Sequence, residues 1–150
     1  MLRRSGWRLA FLLLALAGAG LSCSSVPPGR VSGAPHRDYR LTPAQLRDAV
    51  LDTFDAMGME LALSQGNRFR TAWVDFNALR IRGLRASHGE RVQVRVEIRG
   101  GAEQSTALVE ARHEIEVRQG IRSEWQPHPS RGLVEEEFLD RLDIRCGVLK

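Results

Sequence analysis

The 150-residue chain carries 22 basic residues, 21 of them arginine, against 18 acidic ones, for a formal net charge of +4, with 43% hydrophobic and 27% charged residues. That balance supports a packed core and excludes intrinsic disorder and collagen-like sequence, while the length excludes a second substantial domain or a polytopic membrane protein. Two cysteines are too few for a disulfide scaffold or, alone, for a four-ligand zinc site.

The chain opens with MLRRSGWRLAFLLLALAGAGLSCSS. Arg3, Arg4 and Arg8 form a positive region, and Leu9 to Leu16 an apolar core too short to remain as a membrane-spanning helix, so residues 1–22 read as a signal peptide. Gly20, Leu21, Ser22 and Cys23 resemble the lipobox of bacterial lipoproteins. That resemblance implies acylation of Cys23 and cleavage before it. With Ser24 rather than Asp next, it also implies sorting to the periplasmic face of the outer membrane. Cleavage as an ordinary signal peptide near Ala19 or Ser22 is the competing reading. Residues 23–40, polar and rich in Pro and Gly, read as the acylated cysteine followed by a flexible tether. Two or three acyl chains make such an anchor stable where one is marginal. Loss of the leader removes three arginines and no acid, leaving 19 basic against 18 acidic residues.

A single domain is expected over residues 41–147. Thr42 is placed to cap a helix, Pro43 sits at its first position, and Gln45 can close a capping box, with Leu41 and Leu46 as a hydrophobic staple. Leu46, Ala49, Val50, Phe54 and Met57 recur at helical spacing to about residue 57, and Gly58 ends the helix. Alternation then predicts strands over 59–64, 68–76, 79–84, 91–99 and 106–118. The clearest is RVQVRVEIR, with Val92, Val94, Val96 and Ile98 on one side and arginines on the other. Such alternation marks an antiparallel sheet with one wet face and disfavours a parallel α/β sheet. Residues 119–131 read as irregular, and a second helix runs from about Leu133 to Arg145 with three glutamates in its first turns, where the helix dipole favours them. The expected fold is α+β: a two-layer sandwich, order α-β-β-β-β-β-α, with an antiparallel sheet of about five strands and two helices on one face.

Chemistry is sparse. His36, His88, His113 and His128 have no metal-ligand spacing, no G-x-S-x-G or Gly-rich phosphate loop occurs, and Gly100-Gly101 belongs to a hairpin. His113 falls on the apolar side of its strand, and Cys146 reads as an idle thiol beside Gly147. Neither an enzyme nor a cofactor is expected. Residues 65–100 hold eight arginines against three acids, so Arg80, Arg82, Arg95 and Arg99 are candidates for a face meeting a partner or an anion. The plain alternative is a solvated face paired to glutamates on neighbouring strands. Phe54, Met57, Trp73 and Trp125 are candidates for a pocket between helix and sheet, with core packing as the plain alternative.

The acylated cysteine, tether, helix closing on Ala56 to Met59, the Gly66-Asn67 turn and the Arg-rich strand with a tryptophan (Phe69 to Val74) resemble the small helix-grip domains of BamC-like envelope lipoproteins. That resemblance implies an accessory role in outer-membrane assembly. The expectation is therefore a non-enzymatic, lipid-anchored envelope protein that contacts another envelope protein. A carrier or sensor of a small apolar or anionic ligand is the alternative. Nucleic acid is a poor partner for an exported chain.

Overall fold

A computed structural model describes residues 33–79, 81 and 89–148. Its architecture is α+β: an antiparallel sheet with two helices packed on one face. Strand β1 (His36–Tyr39) precedes helix α1 (Pro43–Ala56). After α1 come β2 (Leu61–Gln65), β3 (Arg68–Thr71), β4 (Val74–Asp75) with a 3-10 turn at Phe76–Ala78, β5 (Glu90–Gly100), β6 (Ser105–Gln119), β7 (Arg122–His128) and helix α2 (Leu133–Arg145).

Helix α1 starts as its sequence dictates. The Thr42 hydroxyl accepts from the Gln45 backbone N–H at 3.3 Å, and Gln45 Oε1 accepts from the Thr42 N–H at 3.1 Å. From that cap the stripe Leu46, Val50, Phe54 and Met57 is fully buried against Val94, Val96 and Val109 of the sheet and Val134, Phe138 and Leu142 of α2. The Phe54 ring lies 4.9 Å from Phe138 and 6.5 Å from Phe69, binding both helices and β3 into one core.

The sheet centre is the β5–β6 pair, in continuous register from Glu90↔Ile115 to Gly100↔Ser105. The Gly100 turn is tight: a Cβ there would lie 2.3 Å from the Gln104 carbonyl oxygen, and φ is +137°, so only glycine fits. Each flank of this pair is shared by two short strands. β3 and then β4 cover β5, while β1 and then β7 cover β6.

Both flanks therefore have a seam. On β6, the β1 pairing ends at Leu108 and the β7 pairing begins at His113. The buried amides between, which neither strand pairs, are satisfied from elsewhere: Val109 N–H donates to the Pro35 carbonyl at 3.0 Å, and Ala111 N–H to Glu135 Oε1 at 3.2 Å. Glu135 is buried, and its carboxylate also accepts from the Ser130 hydroxyl at 2.8 Å. The first-turn glutamates are thus not equivalent, and Glu135 serves as a backbone surrogate inside the sheet.

Three expectations change. The strand expected over 68–76 is broken between Thr71 and Val74 into β3 and β4 and ends in the 3-10 turn at Phe76–Ala78, because the chain bulges there against β5. Segment 119–131 contains β7, hidden because RSEWQPH lacks alternation and holds Pro127, and it pairs fully with β6 as an edge strand. The stretch expected as tether to residue 40 enters the sheet at His36, where a four-residue strand is too short to show a period. The expected strand over 79–84 lies largely outside the described residues.

Candidate interaction surface

The second seam builds the surface. Between Thr71 and Val74 the chain advances three residues while facing β5 advances two, from Val94 to Val92. This is a β-bulge, and Thr71 compensates by accepting the Val94 N–H on its hydroxyl at 3.0 Å, while Gln93 Nε2 donates to the Thr71 carbonyl at 3.2 Å. Phe69 and Thr71 face the helices, Val74 does so again after the bulge, and Trp73 is turned to the outer face. The opposite flank delivers Trp125 of β7, whose partner on β6 is Glu116.

Between the two rings lies Arg91 of β5. Its guanidinium carbon stands 4.7 Å from the Trp73 ring centre and 4.1 Å from that of Trp125. The same guanidinium donates to Glu114 Oε2 through Nε at 2.9 Å and an Nη at 2.6 Å. One arginine thereby ties β5 to β6, to β7 and to the residue that leads into β4. Each cation–π contact contributes about 0.5–2 kcal/mol, depending on how dry it is. Trp125 remains 38% exposed, so the ladder ends at solvent with an aromatic surface.

Further along the same face, Arg70 of β3 stands directly opposite Arg95 of β5. Both are half-buried, and the Nε atom of each is buried without a hydrogen-bond partner. Other arginines here are served: Arg99 donates to Glu97 at 3.0 Å, and Arg68 lies 3.8 Å from the same carboxylate. Among the described residues neither Arg70 nor Arg95 has a carboxylate within 4.0 Å, although Glu110 faces Arg95 in register.

The chain matches no protein-family model, and no curated protein is significantly similar to it.

Of the expected anion face, Arg95 and Arg99 lie on β5, whereas Arg80 and Arg82 lie outside the described residues, as does Cys23. The four aromatic and Met candidates do not share one pocket. Phe54 and Met57 are core residues at 1% and 0% exposure, while Trp73 and Trp125 are on the far side of the sheet around Arg91. The bulge reverses the side on which Trp73 emerges, and the β6–β7 register places Trp125 on the same outer side. An open depression of about 810 Å³ lies instead beside β1, where Arg37, Asp38, Arg99 and Glu136 mix both signs of charge. Residues missed as site members, Arg70, Arg91 and Glu114, were visible as strand arginines and an acid; their grouping required the register.

Two further titratable side chains lie away from this face. His113 is buried on the helix side as expected, with Nδ1 3.0 Å from Glu90 Oε1 and its ring beside Phe76. Burial, and then the neighbouring Asp143 carboxylate, push the Cys146 thiol up to about 11, so it is protonated and a poor nucleophile at neutral pH. Among the described residues no group of three or more His, Cys, Asp or Glu could hold a metal ion, and no helix is long and apolar enough to cross a membrane.

Proposed function

We propose that this protein is a lipoprotein of the bacterial envelope, held through acylated Cys23 at the periplasmic face of the outer membrane. It acts without catalysis, as an interaction or assembly accessory module whose outer sheet face meets an envelope protein. The observation that carries this reading is the division of labour between the two sheet faces. One is sealed by α1 and α2, and the other presents Trp73 and Trp125 bracketing Arg91 beside an uncompensated arginine pair. Tryptophan and arginine are the residues that dominate binding energy at protein interfaces. Closed packing between the layers, with Leu46, Val50, Met57 and Phe138 at 0% exposure, supports surface contact over a ligand gripped between helix and sheet. The anchor rests on the lipobox-like sequence, and two or more acyl chains hold a small domain stably at a bilayer.

The parent protein is expected in the membrane fraction, with acyl chains on its mature N-terminal peptide by mass spectrometry. Cys23→Ser is expected to leave the protein unacylated and release it from membranes. An unacylated parent chain, or fractionation unchanged by the substitution, contradicts the reading.

A further inference from the structure

We infer that the Arg70–Arg95 pair is a receptor for a single side-chain carboxylate, presented by a protein segment that runs along β5 on the outer face of the sheet. This inference rests on the interaction-module reading and names the partner's chemistry. Like charges directly opposite on neighbouring strands destabilise a sheet, and buried donors without acceptors add to that cost. The fold offers ready remedies, since Arg91 and Arg99 on the same strand each have a glutamate. Glu110 stands in register with Arg95 yet makes no ion pair with it. The Nε–H of each arginine is thus held without an acceptor inside the protein, while the rest of each half-buried guanidinium reaches toward the outer face. Two guanidinium-bearing residues directly opposite on neighbouring strands supply paired donors of the kind that a carboxylate's two oxygens accept.

The surroundings select the bearer of that carboxylate. Glu97 and Glu110 stand next to Arg95 on β5 and β6, so a polyanion such as a phosphate-rich glycan meets repulsion from the carboxylates beside the pair. A lone carboxylate flanked by neutral side chains does not. Leu63 is the direct neighbour of Arg70 on β2, and half-buried Leu108 is opposite Glu97, so the pair is bordered by apolar contacts suited to a protein segment. Arg91, with its two tryptophans, lies four residues along β5 from Arg95, about 13 Å at the rise of a strand, or roughly four residues of an extended partner. The partner segment therefore carries an acidic residue about four positions from an apolar or aromatic one.

The test uses the full mature chain and a blocked ten-residue peptide with one Glu among Ala, Leu and Ser, followed through the arginine Nε–H NMR signals. Its Glu→Gln counterpart, inorganic phosphate and dextran sulfate are the comparison ligands. The expected result is a saturable shift of the Arg70 and Arg95 signals by the Glu peptide, with binding at least tenfold weaker for the Gln peptide. Arg95→Glu places a carboxylate opposite Arg70, so it is expected to weaken peptide binding at least tenfold while Tm holds or rises, which separates lost binding from lost folding. No saturable shift, equal binding of the Gln peptide, tighter binding of phosphate or dextran sulfate, or full binding by Arg95→Glu overturns the inference. Those outcomes leave the anchor untouched. A chain that binds the peptide but is unacylated and soluble in cells contradicts the function proposed above and leaves this site standing.

Discussion

Phe54→Ala is expected to lower the unfolding free energy by about 3–5 kcal/mol, measured as a shift in denaturant midpoint at unchanged slope. The ring is 1% exposed and is the meeting point of α1, α2 and the sheet, with Phe138 at 4.9 Å and Phe69 at 6.5 Å. Its removal leaves a cavity whose walls belong to three separate elements. Capped α1 is fixed at its N-terminus, and the β5–β6 pair is in continuous register, so neither can move in to fill the space. A double-mutant cycle with Phe138→Ala is expected to show coupling of about 1 kcal/mol, since each truncation removes part of the same contact. The result also bears on function. A loss below about 1 kcal/mol would mean that the layers separate cheaply here, as gripping a ligand between them requires.

Asp143→Ala is expected to cost about 3–4 kcal/mol and to free β1 from the sheet. Asp143 of α2 is 5% exposed and accepts from the buried Tyr39 hydroxyl at 2.8 Å; it also takes a hydrogen bond from Arg37, whose other Nη donates to Asp140 at 2.7 Å. Both partners belong to a four-residue edge strand, held otherwise by its ladder to β6 and a Thr106–Asp38 hydrogen bond at 2.6 Å. Alanine leaves a buried hydroxyl without an acceptor and a guanidinium without one of its two carboxylates. Asp143→Asn keeps an oxygen for Tyr39 and is expected to lose only about 1–2 kcal/mol. Amide exchange should speed up in β1 and at Val109, whose N–H is held by the Pro35 carbonyl. Burial first, then the hydrogen bond to Asp143 and its negative charge, raise the Tyr39 pKa above its ordinary value near 10. A group whose pKa is raised by folding contributes stability that is complete below its unfolded pKa and is lost as pH climbs beyond it. Stability is therefore expected to fall above about pH 10, and Tyr39→Phe to remove that part of the slope.

The sequence foretold most where structure is periodic. Alternation in RVQVRVEIR and TALVEARHEIEVR identified both central strands and their buried sides, and Thr42, Pro43 and Gln45 placed the start of α1 and its capping box. Short edge strands left no such mark. HRDY spans too few residues for a period, and RSEWQPH is nearly all exposed with a proline that only an edge tolerates. The surface was legible in its parts and not in its assembly. Trp73 and Trp125 stood out as large aromatics, but the side of Trp73 depends on one extra residue at Ala72–Trp73, visible only against β5, and that of Trp125 on the β6–β7 register. Likewise, the strand arginines looked alike until the register gave Arg91 and Arg99 a glutamate each and set Arg70 against Arg95. Glu135 read as an ordinary first-turn acid because the seam it fills lies between strands far apart in sequence.

The outer sheet face is the centre of this account, and site-specific photo-crosslinking in intact cells tests it most directly. A crosslinking residue at exposed Arg112 of β6, whose partner on the outer face is Gln93, is compared with one at exposed Asp48 of α1 on the helix layer. The account predicts a discrete adduct with an envelope protein from position 112, absent from position 48 and lost with Arg95→Glu. An adduct from position 48 with none from position 112 would contradict it.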